Sequence, residues 1–308
     1  MALRAAASLI VTAPFSALGR RVTAMGSQCD YAVLMVKRVG SGGSFDSAYV
    51  FPGGVEEDQD RTRFSGLEIS SACAVRETFE ETGLLLTTAP QLLSTVAKSL
   101  LRSNIQGLSF YELCEQCRIS PQQTRLMGRW VTPRAQQRRR FDTRFFLLNI
   151  GDSDEFLRQQ LGTEHVQGTE IEKLTWIAPD IALQANARGA MPLFPPQAYF
   201  LHELCRFRHW QNLVDGTIAL DIRQTDYPME PLLCRRSDDG MIALLPGDRA
   251  YPEAFSENRD VADSALFCKD RCTPGLHRIE MRKAAGAGGF DATKLVRTMV
   301  HGYHPPNL

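Results

Sequence analysis

Three glutamates, Glu77, Glu80 and Glu81, fall within five consecutive positions of the stretch "AVRETFEETG" (Ala74 to Gly83), and Arg76 stands directly before them. At about 100° of rotation per residue, Glu80 lies about 60° to one side of Glu77 and Glu81 about 40° to the other, so a helix would carry all three carboxylates on one face. Ala72, Val75 and Phe79 fall on the opposite face and can enter a core. Like-charged pairs at these spacings cost about 0.2–0.5 kcal/mol each, so folding alone gives no reason for them. Carboxylates converging on one point suit a hard divalent cation, which prefers oxygen ligands. The bland alternative for three glutamates alone is a solvated acidic face. Two features weigh against it. Gly53-Gly54 precedes the helix and frees the backbone to approach a ligand. The order Arg, Glu, two spacers, Glu-Glu, spacer, Gly, apolar is also restrictive.

Arg76-Glu77-Thr78-Phe79-Glu80-Glu81-Thr82-Gly83-Leu84 resembles the distal half of the Nudix box, G-x5-E-x7-R-E-U-x-E-E-x-G-U. Gly54 resembles its opening glycine, and Glu68 stands at the E-x7-R distance from Arg76. Two departures are visible. Gly54 to Glu68 spans fourteen positions against the pattern's six, which leaves eight extra residues in the loop, and Thr78 replaces an aliphatic residue. Glu68 would sit about 180° from Glu77 on a continuous helix, so it reads as a cap or an ion-pair partner of Arg76. The resemblance extends along the chain through "RAAASLIV", "AYVFPGGV", "RRRFDTRFFL", "FPPQAYFLHEL" and "MIALLPGD", in the order found in long Nudix hydrolases of the motif 19 type.

That resemblance implies an enzyme that hydrolyses the diphosphate of coenzyme A and its acyl esters, giving 3′,5′-ADP and (acyl-)4′-phosphopantetheine. It implies Mg2+ (or Mn2+) as cofactor, held by Glu77, Glu80, Glu81 and the carbonyl of Gly54. A bound cation would neutralise the diphosphate and acidify a water. Glu77 or Glu80 would act as base, with Arg76 orienting Glu77 through a charge-assisted hydrogen bond. Two basic stretches could hold the substrate's phosphates. Lys37-Arg38 ends one strand. In "RRRFDTRFF", strand alternation puts Arg138, Arg140, Asp142 and Arg144 on one face; a charged, solvated edge strand explains that face equally well. Two other readings stand beside this one. One is a hydrolase of another nucleoside diphosphate derivative, such as ADP-ribose, a dinucleotide or capped RNA. The other is a non-catalytic Nudix-fold binding module.

The elements that must position these groups follow from local pattern. A strand is expected from Ala7 to Ala13, a second over Asp30–Gly40 and a brief one ending at Pro52-Gly53-Gly54. Ser65-x-x-Glu68 has capping-box spacing and predicts a helix from near Gly66 to Thr82, with Gly83 as its stop. "LLLTT" after it reads as a short strand, and residues 91–127 read as helical. Two strands around a proline-containing turn follow, then a strand feeding a helix at "EIEKLTWIAPDIAL" and a proline-headed helix at "PPQAYFLHELCRF". Strands and helices mix without strict βαβ alternation, which predicts an α+β fold: a Nudix-type α/β/α sandwich with a mixed central sheet, a helical insertion and a C-terminal extension. The expected division is a hydrolase domain over 5–210, with the insertion at about 91–127, and an extension over 211–308 packed on it. Its glycine-rich stretch from about 284 reads as loose.

Composition narrows the partners. Lys+Arg 35 balances Asp+Glu 35, so nucleic acid is an unexpected partner and a small-molecule substrate the expected one. A second copy of the chain remains an open partner. Eight cysteines in 308 residues is not the density of a disulfide scaffold, so the thiols read as reduced and the protein as intracellular. Cys114-x-x-Cys117 reads as packing rather than half a zinc site, and the six histidines form no metal-like cluster. No run of about 18 apolar residues predicts a membrane span. The resemblance implies the peroxisome, though "HPPNL" is a distant relative of the S-K-L address. Arg4, Arg20 and Arg21 without an acid in the first 25 residues would suit a mitochondrial presequence, against which the strand over Ala7–Ala13 is favoured.

Overall fold

A computed structural model describes residues 3–19, 22–39, 48–64, 67–87, 109–117, 121, 124–134, 139–151, 171–214, 228–235, 240–248, 250–251, 276–283 and 290–298. Its centre is a strand of small and apolar residues, β1 (Arg4–Pro14), buried from Ala6 to Ala13. A strand covered on both faces reads as such a near-continuous apolar run. β1 runs antiparallel to β3 (Tyr31–Arg38) and β5 (Gly53–Val55), and parallel to β7 (Phe141–Asn149). β2 (Val22–Thr23), β4 (Tyr49–Val50), β6 (Arg125–Val131), β8 (Ile171–Ile177) and β9 (Pro228–Met229) complete a mixed sheet in the order β2-β8-β3-β1-β7-β6-β9, with β4 on β3 and β5 on β1.

Alternation along β1 divides the core in two. Leu9 and Val11 pack with Val75 and Phe79 of a helix on one face, whereas Ile10 packs with Tyr199, Phe200 and Leu204 of a helix on the other. The helices, in chain order, are α1 (Phe15–Leu18), α2 (Asp58–Arg63), α3 (Ile69–Thr82), α4 (Phe110–Cys117), α5 (Pro179–Ala187), α6 (Pro195–Leu204) and α7 (Trp210–Val214). The result is the expected α/β/α sandwich. A second, antiparallel sheet of β10 (Leu232–Arg235), β11 (Met241–Leu244), β12 (Leu276–Lys283) and β13 (Phe290–Thr298) joins the α6 side. Met241, Ala243, Ile279 and Met281 share one core cluster with Tyr199 and Phe200. The turn after β11, "LLPGD", has a structural task. Asp248 is buried and takes both Nε and Nη2 of buried Arg278 at 2.7 Å, together with the amides of His277 and Ala250.

Four expectations change. Helix α3 begins at Ile69, with Glu68 at its N-cap but no side-chain cap bond, because the Glu68 carboxylate turns to Arg144 instead, at 3.6 Å. Leu84–Leu86 are buried but form no strand. Arg125–Met127, expected helical, are the start of β6, paired with β7; apolar spacing cannot separate a buried strand end from a helix. The stretch expected loose from 284 includes β13, which pairs with β12 from Leu276↔Thr298 to Lys283↔Phe290. Its Ala-Thr-Lys-Leu-Val-Arg-Thr run has the β-branched residues that suit a strand. Most of the expected insertion, the loop "SGGSFD" and "GTIALDI" lie outside the described residues.

Candidate active site

The glutamate helix is more deeply set than an acidic face in water would be. Ser70 through Arg76, Thr78, Phe79 and Thr82 are all buried, and Glu80 is the one exposed residue between Ile69 and Thr82. Gly83 stops the helix in the left-handed conformation (φ 72°), its amide donating to the Phe79 carbonyl at 2.7 Å. Thr78 tolerates its aliphatic position because its hydroxyl donates to the Ala74 carbonyl one turn back, at 2.7 Å.

Arg76 organises the site. Its side chain is 1% exposed, and a buried guanidinium must have its donors satisfied. Nε and Nη2 donate to the two oxygens of Asp60, at 3.0 and 3.1 Å, and Nη2 also donates to the Val55 carbonyl at 3.0 Å. Nη1 donates to Glu77 Oε1 at 2.9 Å and to Glu80 Oε2 at 2.8 Å. Asp60, itself buried, also accepts from the Tyr111 hydroxyl at 2.8 Å and from the Glu57 amide at 2.9 Å. Burial raises the pKa of Glu77 and of Glu80, with Arg76 opposing the rise in both. Burial works against the charge of Arg76, but the bond to Asp60 and the charges of Glu77 and Asp60 overcome it and push its pKa further up. Burial, then the bond to Asp60, raises Tyr111, so the phenol stays a donor.

The glycine pair closes the other side. A Cβ on Gly54 would lie 2.4 Å from Cδ and Oε1 of Glu77 and 2.5 Å from Oε2, so the carboxylate rests where any side chain would be. Gly53 presses on β1 itself, since its Cβ would meet the Ala7 carbonyl at 2.3 Å. The Gly53 amide donates to Glu81 Oε2 at 3.1 Å. Ser8 of β1 ties down the turn before it, donating to the carbonyls of Phe51 and Pro52 at 3.2 and 2.9 Å.

The structure thus brings Glu77, Glu80, Arg76, Gly54 and Glu81 to one place. The carboxylates share a helix face but not a common point. Arg76 stands between Glu77 and Glu80, and Glu81 turns to the Gly53 amide. Among the described residues, no group of three or more His, Cys, Asp or Glu side chains is set to hold a metal as it stands. The donor chemistry fits a hard divalent cation all the same: every donor is an oxygen, and Arg76 takes one oxygen of Glu77 and one of Glu80.

The basic candidates divide. Arg144 lies against the start of α3, near Ser70 Oγ (3.4 Å) and Glu68 (3.6 Å), while Ser70 itself bonds Glu56. Asp142 on the same strand is held in its charged form by a bidentate bond from Arg129 at 2.6 and 2.7 Å. Arg140 precedes β7 and bonds Glu230 and the Thr132 carbonyl. Lys37 pairs with Glu172 across β3 and β8 at 3.0 Å, and Arg38 is exposed beside it. Arg138 lies outside the described residues, as does the Cys117 side chain, while Cys114 is a buried free thiol.

Sequence reasoning missed Asp60 and Tyr111. Glu68, offered as a partner for Arg76, is replaced in that role by Asp60. The signal for Asp60 was present: it stands six positions after Gly54, an acid at the box's G-x5-E distance. The extra residues therefore lie between Asp60 and Arg76. Tyr111 carried no signal, being one aromatic in a helical run.

Comparison with known proteins gives the family. The model of the NUDT19 Nudix domain matches residues 68–207 and that of the NUDT19 C-terminal domain matches 235–285, together more than half of the chain. A Nudix hydrolase structure from Alicyclobacillus acidocaldarius superposes with a TM-score of 0.51, at 23% identity, covering 70% of this chain and 96% of that one. The chain belongs to the Nudix hydrolases, enzymes that cleave a diphosphate bond and generally use divalent metal ions. Within them it is similar to the NUDT19 type. The acyl-coenzyme A diphosphatase NUDT19 of Gallus gallus is 28% identical over 81% of this chain and 80% of its own length. That of Xenopus laevis is 26% identical over 73% and 72%. No helix among the described residues is long and apolar enough to cross a membrane.

Proposed function

We propose that the chain hydrolyses the diphosphate bond of coenzyme A and its acyl esters with Mg2+ or Mn2+, releasing 3′,5′-ADP and (acyl-)4′-phosphopantetheine. The observation that carries the substrate is the alignment, over most of both chains, with relatives named acyl-coenzyme A diphosphatase. The carboxylates gathered around Arg76 and Gly54 support the chemistry.

In this reading Glu77, Glu80 and Glu81, with the Gly54 carbonyl, hold the divalent ion. When bound, the ion neutralises diphosphate charge and acidifies a water. Arg76 fixes the Glu77 and Glu80 carboxylates in place, so their orientation is set before substrate arrives. Glu77 or Glu80 accepts the proton of the attacking water. Arg144 of β7, whose side chain lies against the start of α3, is the basic residue assigned to a substrate phosphate; Lys37, Arg38 and Arg140 are further candidates, together with Arg138, which lies outside the described residues. The hydrolase unit spans 5–210 and the extension 211–308, whose apolar residues share the core of the first.

The test is a panel of coenzyme A, an acyl-coenzyme A, ADP-ribose and a dinucleotide with Mg2+, products being identified by mass. Cleavage of the coenzyme A compounds to 3′,5′-ADP supports the proposal. Rapid cleavage of ADP-ribose with coenzyme A untouched rejects it.

A further inference from the structure

The bond from Tyr111 to Asp60 reaches the buried partner of Arg76 from outside the signature. Tyr111 belongs to α4, in the segment between the glutamate helix and β6, and is 4% exposed. Its ring stacks on Phe64 at 5.9 Å with an interplanar angle of 28°, and the adjacent Phe110 packs on Phe79 of α3 at 5.6 Å. The hydroxyl is therefore held rigidly, and donates to the Asp60 oxygen that also receives Arg76 Nε. Phe64 and Asp60 sit at the end and in the first turn of α2. A two-part clamp, α2 with α4, thus stands behind the guanidinium on the side away from Glu77 and Glu80.

The division of donors gives the clamp its consequence. Asp60 and the Val55 carbonyl take Nε and Nη2, so only Nη1 faces the two glutamates, with one bond to each. A guanidinium free to turn would present its two-pronged edge to a carboxylate and cover both oxygens. Asp60 also cancels the charge of Arg76. Without that, the arginine would draw its compensation wholly from Glu77 and Glu80, leaving less negative charge for a cation.

We propose that Tyr111, acting through Asp60, is a positioning residue for the cation site. Together the two hold Arg76 so that it steadies Glu77 and Glu80 by one oxygen each and leaves the other oxygen of each for a divalent ion. This rests on the reading that Glu77 and Glu80 bind the ion. The experiment measures free Mn2+ by electron paramagnetic resonance in titrations of the full-length wild type, Asp60→Asn, Asp60→Glu, Tyr111→Phe and Glu80→Gln, with thermal unfolding of each. Expected are a rise in Mn2+ Kd of about tenfold or more in Asp60→Asn and about threefold in Tyr111→Phe, with partial recovery in Asp60→Glu. In turnover, kcat falls while the substrate KM stays near wild type. If Asp60→Asn does not fold, the near-isosteric Tyr111→Phe carries the test alone. Wild-type Mn2+ affinity in the folded clamp variants, with only a lowered Tm, overturns the proposal and leaves the clamp a structural feature. Glu80→Gln separates the two failures: unchanged Mn2+ binding there refutes the site reading itself, and this inference with it.

Discussion

Adjacent glycines that fail in different ways would be a sharp test of the site. At Gly54 the three atoms nearest an added methyl all belong to the carboxyl end of Glu77, at 2.4–2.5 Å, and that group lies at the tip of a flexible side chain. Gly54→Ala should therefore displace Glu77 rather than the backbone. The displaced carboxylate loses its 2.9 Å bond to Arg76, a charge-assisted contact worth about 1.5–3 kcal/mol. If that orientation is expressed in the transition state, kcat falls by about ten- to a hundredfold, at about 1.4 kcal/mol per factor of ten. Global stability should fall by at most that bond's contribution of about 1.5–3 kcal/mol, since the backbone of the central strand is not displaced. At Gly53 the same methyl meets the Ala7 carbonyl at 2.3 Å and Ser8 Cα at 2.6 Å, both backbone atoms of the central strand. Gly53→Ala should cost about 1–3 kcal/mol or more of stability as an overpacking defect at β1. Urea unfolding and coenzyme A turnover on both variants read the contrast. Full activity in Gly54→Ala, or a larger loss of stability there than in Gly53→Ala, would refute the placement of Glu77 against the glycine.

Three further outcomes follow from the geometry. Asp248→Asn removes the charge that buried Arg278 is paired with and should cost about 3–5 kcal/mol in urea unfolding; a loss under 1 kcal/mol would mean the pair contributes little. Glu77 and Glu80 are raised above their ordinary 4.5 by burial, so the unfolded chain releases these protons at lower pH than the folded one. Metal-free stability should then decline as pH rises from 4.5 through the raised values, and the decline should flatten in the Glu77→Gln/Glu80→Gln double variant. Identical slopes in both proteins would show that neither carboxylate is responsible. Arg144→Ala should raise the KM for coenzyme A about tenfold with a smaller change in kcat, because a phosphate contact made equally in ground and transition states acts on binding; an unchanged KM would move the phosphate site elsewhere.

The reach of the sequence was greatest where the pattern was densest. The helix ending at Gly83, its buried Val75 and Phe79, and the central strand over Ala7–Ala13 are set by periodicity and a helix-stop glycine, which are local signals. Thr78 stands in the sequence only as a departure from an aliphatic position, and the structure supplies the reason it is tolerated, a bond to the preceding turn. Asp60 was passed over because counting backward from Arg76 reached Glu68, an equally acidic residue, and burial was invisible in a stretch as polar as "VEEDQDRTRF". The arginine's demand for buried partners decides between them: Asp60 is 1% exposed, whereas the Glu68 side chain is half exposed. Tyr111 and strand β13 depend on tertiary pairing, and their residue types admit several fates. Arg140 and Lys37 read alike with Arg144 in sequence, yet their partners, Glu230 and Glu172, come from distant segments.

The most direct test of the central claim is to incubate coenzyme A and Mg2+ with the wild type and with Glu80→Gln, and to identify the products by mass. The account predicts 3′,5′-ADP and 4′-phosphopantetheine from the wild type, dependence on the added ion, and a rate lower by at least about a hundredfold in the variant. Equal turnover by the two proteins, or intact coenzyme A in both beside rapid cleavage of a different nucleoside diphosphate, would contradict it.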